Sequence, residues 1–227
     1  MFVRSKPSKR KKRRVHDPER TRQRLLQAAF REVYRWGFQG AGIDNILAAT
    51  GVTKGALYYH FGSKKALGYA VVEEAIAAPL RDKWLRPLRS GVDPIATLIG
   101  IVQATSLRPE IVRAGCPLNN LAQEMSALDE PFRKRLAKVF HEWQEGTAAA
   151  LRRGQSEGTV RRDLDPDGTA SFLIAMYEGY VLLAKNAQDV NVWKVGIRNI
   201  VGWLRSLRPP GKPRRSRDSR GLKRCCS

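Results

Sequence analysis

IDNILAATGVTKGALYYHFGSK, the stretch from Ile43 to Lys64, decides the fold. Its first half sets Ile43, Ile46 and Leu47 on one face, the i, i+3, i+4 spacing of an amphipathic helix. Ala49-Thr50-Gly51-Val52 then reads as a turn. Gly51 stands where a helix end needs a left-handed backbone and a Cβ is a penalty. A second helix is expected from about Thr53 to Phe61, with Val52 and Leu57 reaching back to the first and Thr53, Lys54, Tyr58, Tyr59 and His60 facing outward. Two short helices across a tight turn make a helix-turn-helix, although they also fit an ordinary helical domain. Two tyrosines and a histidine on so short a helix suit a core poorly, because each polar end needs a partner. The same hydroxyls, the imidazole and Lys54 suit phosphates and base edges.

Working outward, Asp17-Pro18-Glu19 is a helix start, with an Asp cap, Pro at the first helical position and an acid in the first turn. That helix is expected to reach about Trp36 and to be broken by Gly37 and Gly40. Ser63 caps a fourth helix carrying Leu67, Ala70, Val71 and Ala75 toward Pro79, where proline predicts a kink or a stop. Beyond it, Asp93-Pro94, Cys116-Pro117, Asp129-Glu130-Pro131 and Asp165-Pro166 each open a helix. The helix over about 166–187 is apolar nearly all round and needs neighbours on every side, although Glu178 interrupts its richest run, Phe172 to Ala184. The last helix sets Trp193, Ile197, Ile200, Val201, Leu204 and Leu207 on one stripe. No strand-like alternation of useful length and no internal repeat occurs, so the class is all-α, about nine helices. The expected divisions are a disordered basic arm (1–16), a three-helix helix-turn-helix domain (17–65), an effector-binding and dimerisation domain (66–207) and a disordered basic tail (208–227).

Residues 21–68 resemble the DNA-binding domain of the TetR/AcrR family of bacterial repressors. The resemblance rests on the helix with Leu25, Leu26, Ala28, Ala29 and Phe30, on Trp36-Gly37-Phe38, on Ile43 to Gly51 and on TKGALYYHFGSKKAL. It implies a DNA-facing set of Thr53, Lys54, Gly55, Ala56, Tyr58, Tyr59, His60 and Lys64, a double-stranded DNA operator with an inverted repeat, and a homodimer whose last two helices pair in a four-helix bundle. The chain departs from the family at Gly42, where a threonine usually caps the second helix and touches a phosphate. Gly115-Cys116-Pro117-Leu118-Asn119-Asn120-Leu121 is similar to a G-C-x-x-x-N-L segment of a subgroup, in which the cysteine sometimes senses electrophiles or oxidants with help from a lysine on the penultimate helix. The candidate sensing pair is therefore Cys116 and Lys185, with Asn120 nearby, and a helix N-terminus is expected to lower the thiol pKa. The alternative for this half is a hydrophobic small-molecule effector among Trp143, Met176, Tyr177, Phe140, Met125 and Phe172, which also read as plain core.

The net charge of +21 is concentrated at the ends. Residues 1–14 hold eight Lys or Arg and no acid, and residues 208–227 hold eight against Asp218. Like-charge blocks of this kind stay disordered and serve either solubility or nonspecific phosphate contact; the arm favours phosphate contact because it leads into the first helix, and the tail fits both. They keep open a second reading, an architectural or nonspecific nucleic-acid binder with a steep salt dependence. Cys116, Cys225 and Cys226 make neither a disulfide framework nor, with the scattered His16, His60 and His141, a metal site, and a reducing cytoplasm fits them best. No apolar run reaches the 18 residues of a transmembrane helix. No paired carboxylates, glycine-rich phosphate loop or nucleophile with a spaced base stands out. An enzyme, a cofactor and a metal are therefore not expected.

Overall fold

A computed structural model describes residues 17–105 and 109–210. The expected arm 1–16 and the tail beyond Pro210, with Cys225 and Cys226, lie outside the described residues. Among those residues the chain is helical and without strands: nine helices and one short helical turn. α1 is Pro18–Gly40, α2 Ile43–Thr50, α3 Lys54–Phe61, and α4 runs continuously over 64–90. α5 is Pro94–Ala104, α6 the short Pro109–Ala114, α7 Pro117–Met125, α8 Glu130–Ser156, α9 Pro166–Ala187 and α10 Val190–Ser206.

The helix starts are written in single residues. Asp17, Asp93, Asp129, Asp165 and Asp189 each accept a hydrogen bond from a backbone N–H of the first turn, and Thr53 and Ser63 do the same with hydroxyls. Gly51 closes α2 with φ 64° and ψ 20°, the left-handed cap that its place in the turn demands. Gly42 starts α2 with no side-chain cap. Glu32 covers part of that deficit by accepting from Gly42 N at 3.3 Å and from Asn45 Nδ2 at 2.7 Å.

The break expected after Trp36 is present, since Gly37 leaves helical geometry (φ 74°, ψ 172°), but the chain then re-enters a final helical turn through Gly40. The cause lies far away in sequence. The carboxylate of Glu124 accepts from Phe38 N at 2.9 Å and Gln39 N at 2.8 Å, capping the restarted turn, and a Cβ on Gly37 would lie 2.7 Å from Glu124 Oε2. At Pro79, where a kink or a stop was expected, α4 does not stop. Wider π-type turns at Val71–Ile76 and Arg81–Leu85 precede Pro79 and Pro87, and the extra residue per turn moves the carbonyls that the proline rings would strike.

Two apolar clusters result. One gathers α1 to α3, the start of α4, α7 and the start of α8 around Leu25, Leu57, Val71 and Phe132. The other gathers the end of α4, α5, α8, α9 and α10 around Trp84, Trp143, Trp193 and Leu204. Leu80, Cys116 and Phe140 touch both, which marks the seam. Polar ties cross between the helices: Tyr34 donates to the Gly115 carbonyl at 2.7 Å, and Asp129 takes Lys65 at 2.9 Å and Tyr69 at 3.2 Å. Arg208, expected in the tail, is anchored to Asp93 at 2.7 Å.

Glu124→Ala strips the acceptors from two N–H groups at the restarted helix turn. An unfolding free energy lowered by about 1–2 kcal/mol is expected in urea titration, the usual worth of a lost cap.

Candidate DNA-reading surface and internal cavity

α3 is held from beneath and bare on top. Leu57 and Phe61 are buried in the first cluster, with Val52 packed beside them. The guanidinium of Arg22 lies 5.2 Å from the Phe61 ring centre and grips Glu74 of α4 through two hydrogen bonds of 2.8 and 2.5 Å. That contact holds the Glu74 carboxyl below its ordinary range. Arg24 donates to the carbonyl of Thr50, fixing the end of α2 against α1. α3 therefore cannot roll without disturbing its contact with Arg22 of α1, which is itself tied to α4.

The outer face presents the expected set. Tyr59 is 83% exposed and Tyr58 39%, with Thr53 and Lys54 also exposed and His60 half-buried. Tyr59 meets His60 edge to face at 5.3 Å. The Thr53 hydroxyl accepts from Ala56 N at 3.3 Å, so it serves as the helix cap while its own proton stays free to donate. Gly55 has no atom within 4 Å of where a Cβ would stand, so nothing in this chain requires glycine there. Lys64 is more committed than the sequence implied. Its ammonium donates to the Gln39 carbonyl at 3.2 Å and sits 5.1 Å from the Phe38 ring centre.

The other feature lies at the seam. A cavity of about 480 Å³ is lined by Phe30 and Tyr34 of α1, Ile76, Leu80, Lys83 and Trp84 of α4, Cys116 and Leu118, Trp143 of α8, and Tyr177, Glu178 and Val181 of α9. This volume is within the usual small-molecule range of about 300–1,000 Å³. Of the six residues expected at an effector site, Trp143, Tyr177 and Cys116 line the cavity. Asn120 and Lys185 line an adjoining groove, where the Lys185 ammonium donates to Asn120 Oδ1 at 2.9 Å. Met176 packs against the second cluster, Met125 is buried in the first, and Phe172 faces outward.

The electrostatics overturn the expectation for Cys116. Cys116 stands at the N-cap of α7 without a side-chain cap hydrogen bond, and burial pushes its thiol pKa up, with the neighbouring Glu178 adding to the rise. Burial, with Glu178 beside the thiol, outweighs the helix N-terminus. Sequence reasoning also missed Glu178 as a site residue. Its signal was the one acid in an apolar run of α9. Glu178 is 7% exposed, and neither carboxyl oxygen has a hydrogen-bond partner of sound geometry. Burial pushes its carboxyl up to about 7, against the pull of the Cys116 thiol, the Lys83 ammonium and the Asn119 side chain. Lys83 donates to the Tyr177 hydroxyl at 3.1 Å and lies 5.4 Å from the ring centres of both Trp84 and Tyr177. Although Lys83 as a whole is exposed, protein replaces enough water around its ammonium to lower its pKa.

Comparison with known proteins bears on both features. The family model "Bacterial regulatory proteins, tetR family" matches residues 25–71, and "Tetracyclin repressor-like, C-terminal domain" matches residues 91–200. The chain is 32% identical over 171 residues to the HTH-type transcriptional repressor DhaR of Mycobacterium sp. (strain GP1), covering 72% of this chain and 82% of that protein. It is 33% identical over 187 residues to the transcriptional regulator AcuR of Cereibacter sphaeroides, covering 81% of this chain and 84% of the other. The crystal structure of regulatory protein TetR from Rhodobacter sphaeroides superimposes with a TM-score of 0.71 at 30% identity, over 80% of this chain and 97% of that one.

The raised Glu178 pKa has a measurable consequence. An unfolded chain releases this proton near the ordinary value of 4.5, whereas the folded protein holds it to about 7. The stability associated with the neutral acid is therefore complete below pH 4.5 and is lost as pH rises through 7. The loss amounts to about 3 kcal/mol, with groups other than Glu178 superimposed on it. Glu178→Gln is expected to remove this component from unfolding free energies measured from about pH 5 to 8. Parallel curves for the two proteins would show a carboxyl that titrates normally.

Proposed function

The chain belongs to the TetR family of bacterial transcriptional regulators, and on that footing we propose that it is a ligand-responsive homodimeric repressor of a palindromic operator. The observation that carries the DNA reading is α3 itself, anchored by Leu57, Phe61 and Arg22 and presenting Tyr59 almost wholly to solvent. A tyrosine so exposed has no structural task in the subunit. Lys54, Tyr58, Tyr59 and His60 form a donor surface fit for phosphates and base edges. Gly55 leaves room for a phosphate backbone to come close.

Support for a dimer comes from α9 and α10. Phe172, Ala175, Leu182 and Leu183 form an exposed stripe at helical spacing on α9, joined by Val195 of α10. Phe172 meets Trp203 at 5.1 Å across the two helices. A contiguous apolar face of this kind is rare on a monomer. A two-fold pairing through it sets two α3 helices at a spacing tuned to successive major grooves, about 34–36 Å.

For the effector, the cavity favours a non-covalent ligand over an electrophile captured by Cys116, since a buried thiol beside a carboxyl is a poor nucleophile. Phe30 and Tyr34 belong both to the cavity wall and to α1, so a ligand touches the DNA-binding domain directly. A ligand that fits better with α1 displaced lowers operator affinity by that difference. The expected site of action is the bacterial nucleoid in the cytoplasm.

Selection of genomic fragments with the purified full chain is expected to enrich one inverted repeat, and enrichment without a shared motif would instead favour a nonspecific binder. Tyr59→Ala is expected to weaken operator binding by about 1–3 kcal/mol in mobility-shift titrations while changing stability by no more than about 0.5 kcal/mol. Leu183→Glu is expected to sediment as a folded monomer and to lose operator binding with it, because a charge inserted in an apolar interface has no partner.

A further inference from the structure

Glu178 is unexplained by the subunit that contains it. A carboxyl that is 7% exposed and has no hydrogen-bond partner of sound geometry is costly to bury, and an apolar residue of the same size would fit α9 better. Every other buried acid is accounted for. Asp129, the remaining buried carboxylate among the described residues, takes Phe132 N, Tyr69 and Lys65.

What faces Glu178 defines what would satisfy it. From the 116–119 segment come the Cys116 thiol and the Asn119 side chain, and from α4 the Lys83 ammonium. Tyr177 precedes it on α9, with its hydroxyl already taken by Lys83. Glu178, Lys83 and Cys116 share one cavity wall with the faces of Phe30, Trp84 and Trp143. The ammonium and the carboxyl do not form an ion pair with each other, so the cavity offers the two separately within one apolar chamber. Above about pH 7, with Glu178 ionised, an anion faces the Glu178 carboxylate and a cation the Lys83 ammonium, whereas an uncharged ligand meets neither repulsion.

We propose that the cavity binds a compact, uncharged, largely apolar molecule, flat enough to lie among the aromatic rings, which donates a hydrogen bond from a hydroxyl or amide to Glu178 and accepts one from Lys83. Glu178 is then the residue that selects the ligand, and the aromatic wall supplies shape and contact area. The proposal rests on the effector reading for where the ligand acts, but not for whether it binds.

Calorimetric titration of the full chain, without DNA, separates the two. Four probes share one ring system: 2-naphthol, 2-methoxynaphthalene, 2-naphthoate and 2-naphthylmethylammonium. 2-Naphthol is expected to bind at least about tenfold more tightly than each of the others, the tenfold loss that an unmade buried hydrogen bond typically brings. Glu178→Met is expected to weaken 2-naphthol to the level of 2-methoxynaphthalene, to leave the latter unchanged, and to raise the melting temperature of the free protein. Should the methionine variant not fold, Glu178→Gln is expected to narrow the gap between these two probes at least threefold. Equal binding of 2-naphthol and its methyl ether, preference for either ion, an unchanged order of affinities in the variants, or no binding of any probe up to the solubility limit would each overturn the proposal. Because no operator enters the titration, failure of the repressor reading shows separately, as absence of an enriched DNA site.

Discussion

Two backbone N–H groups and one carboxylate hold the halves of this molecule in register. At Gly37 the first helix leaves helical geometry, and Phe38 and Gln39 would open the next turn with unsatisfied donors. Glu124 supplies the acceptors from α7, 85 or more residues along the chain. The contact exists only if glycine stands at 37, since a Cβ there would occupy the space of the carboxylate. It therefore fixes three things together: the direction of α1, the point where the chain turns into α2 and α3, and the position of α7 beneath them. Arg22 with Glu74 and Tyr34 with Gly115 reinforce the same arrangement at other points along α1.

The cavity sits where this arrangement is most sensitive. Its wall combines α1 with α4, α7, α8 and α9, and Cys116 belongs at once to both apolar clusters. Close-packed clusters do not deform gradually, so a change of fit at their seam is taken up as a relative movement of the two. α4 is suited to carry such a movement. It runs unbroken over 64–90 from the first cluster to the second, and its wider turns around Pro79 and Pro87 interrupt the regular ladder. In the proposed mechanism the ligand competes with the Tyr34 and Glu124 ties for the position of α1, and operator affinity follows.

The sequence was legible where a residue answers a local demand. Asp caps followed by proline announced α1, α5 and α9, Gly51 announced the turn, and Val52 with Leu57 announced which side of α3 is buried. It was illegible where the partner is remote or the answer is cooperative. Nothing near Gly37 reveals Glu124, so the glycine read only as a break. Pro79 read as a kink or a stop because the remedy, a shift of the whole turn to π geometry, is not encoded in any one residue. The cavity was half legible. Trp143 and Tyr177 line it, whereas Phe172 and Met176, equally apolar, lie elsewhere because periodicity ranks faces and not neighbours. Cys116 misled because the helix N-terminus is visible in sequence and the opposing Glu178 is not.

Gly42 shows how the surface compensates for what its backbone lacks. A side chain there would cap α2 and extend toward a phosphate. Glu32 and Asn45 recover only the internal part of that task, with Glu32 Oε1 directed inward to Gly42 N and to Asn45. An acid so close to the start of α2 also repels phosphate. Lys64 is only partly free for that role, since one of its three ammonium donors is given to Gln39 and the group lies over Phe38. In the proposed complex the grip of the domain thus passes to α3, to Lys54 at its N-terminus and to Tyr58, Tyr59 and His60 along it. Such a surface relies on aromatic donors more than on charge. Its contribution to operator affinity is then less sensitive to salt than that of a lysine-rich face, because salt dependence counts neutralised phosphates and not hydrogen bonds.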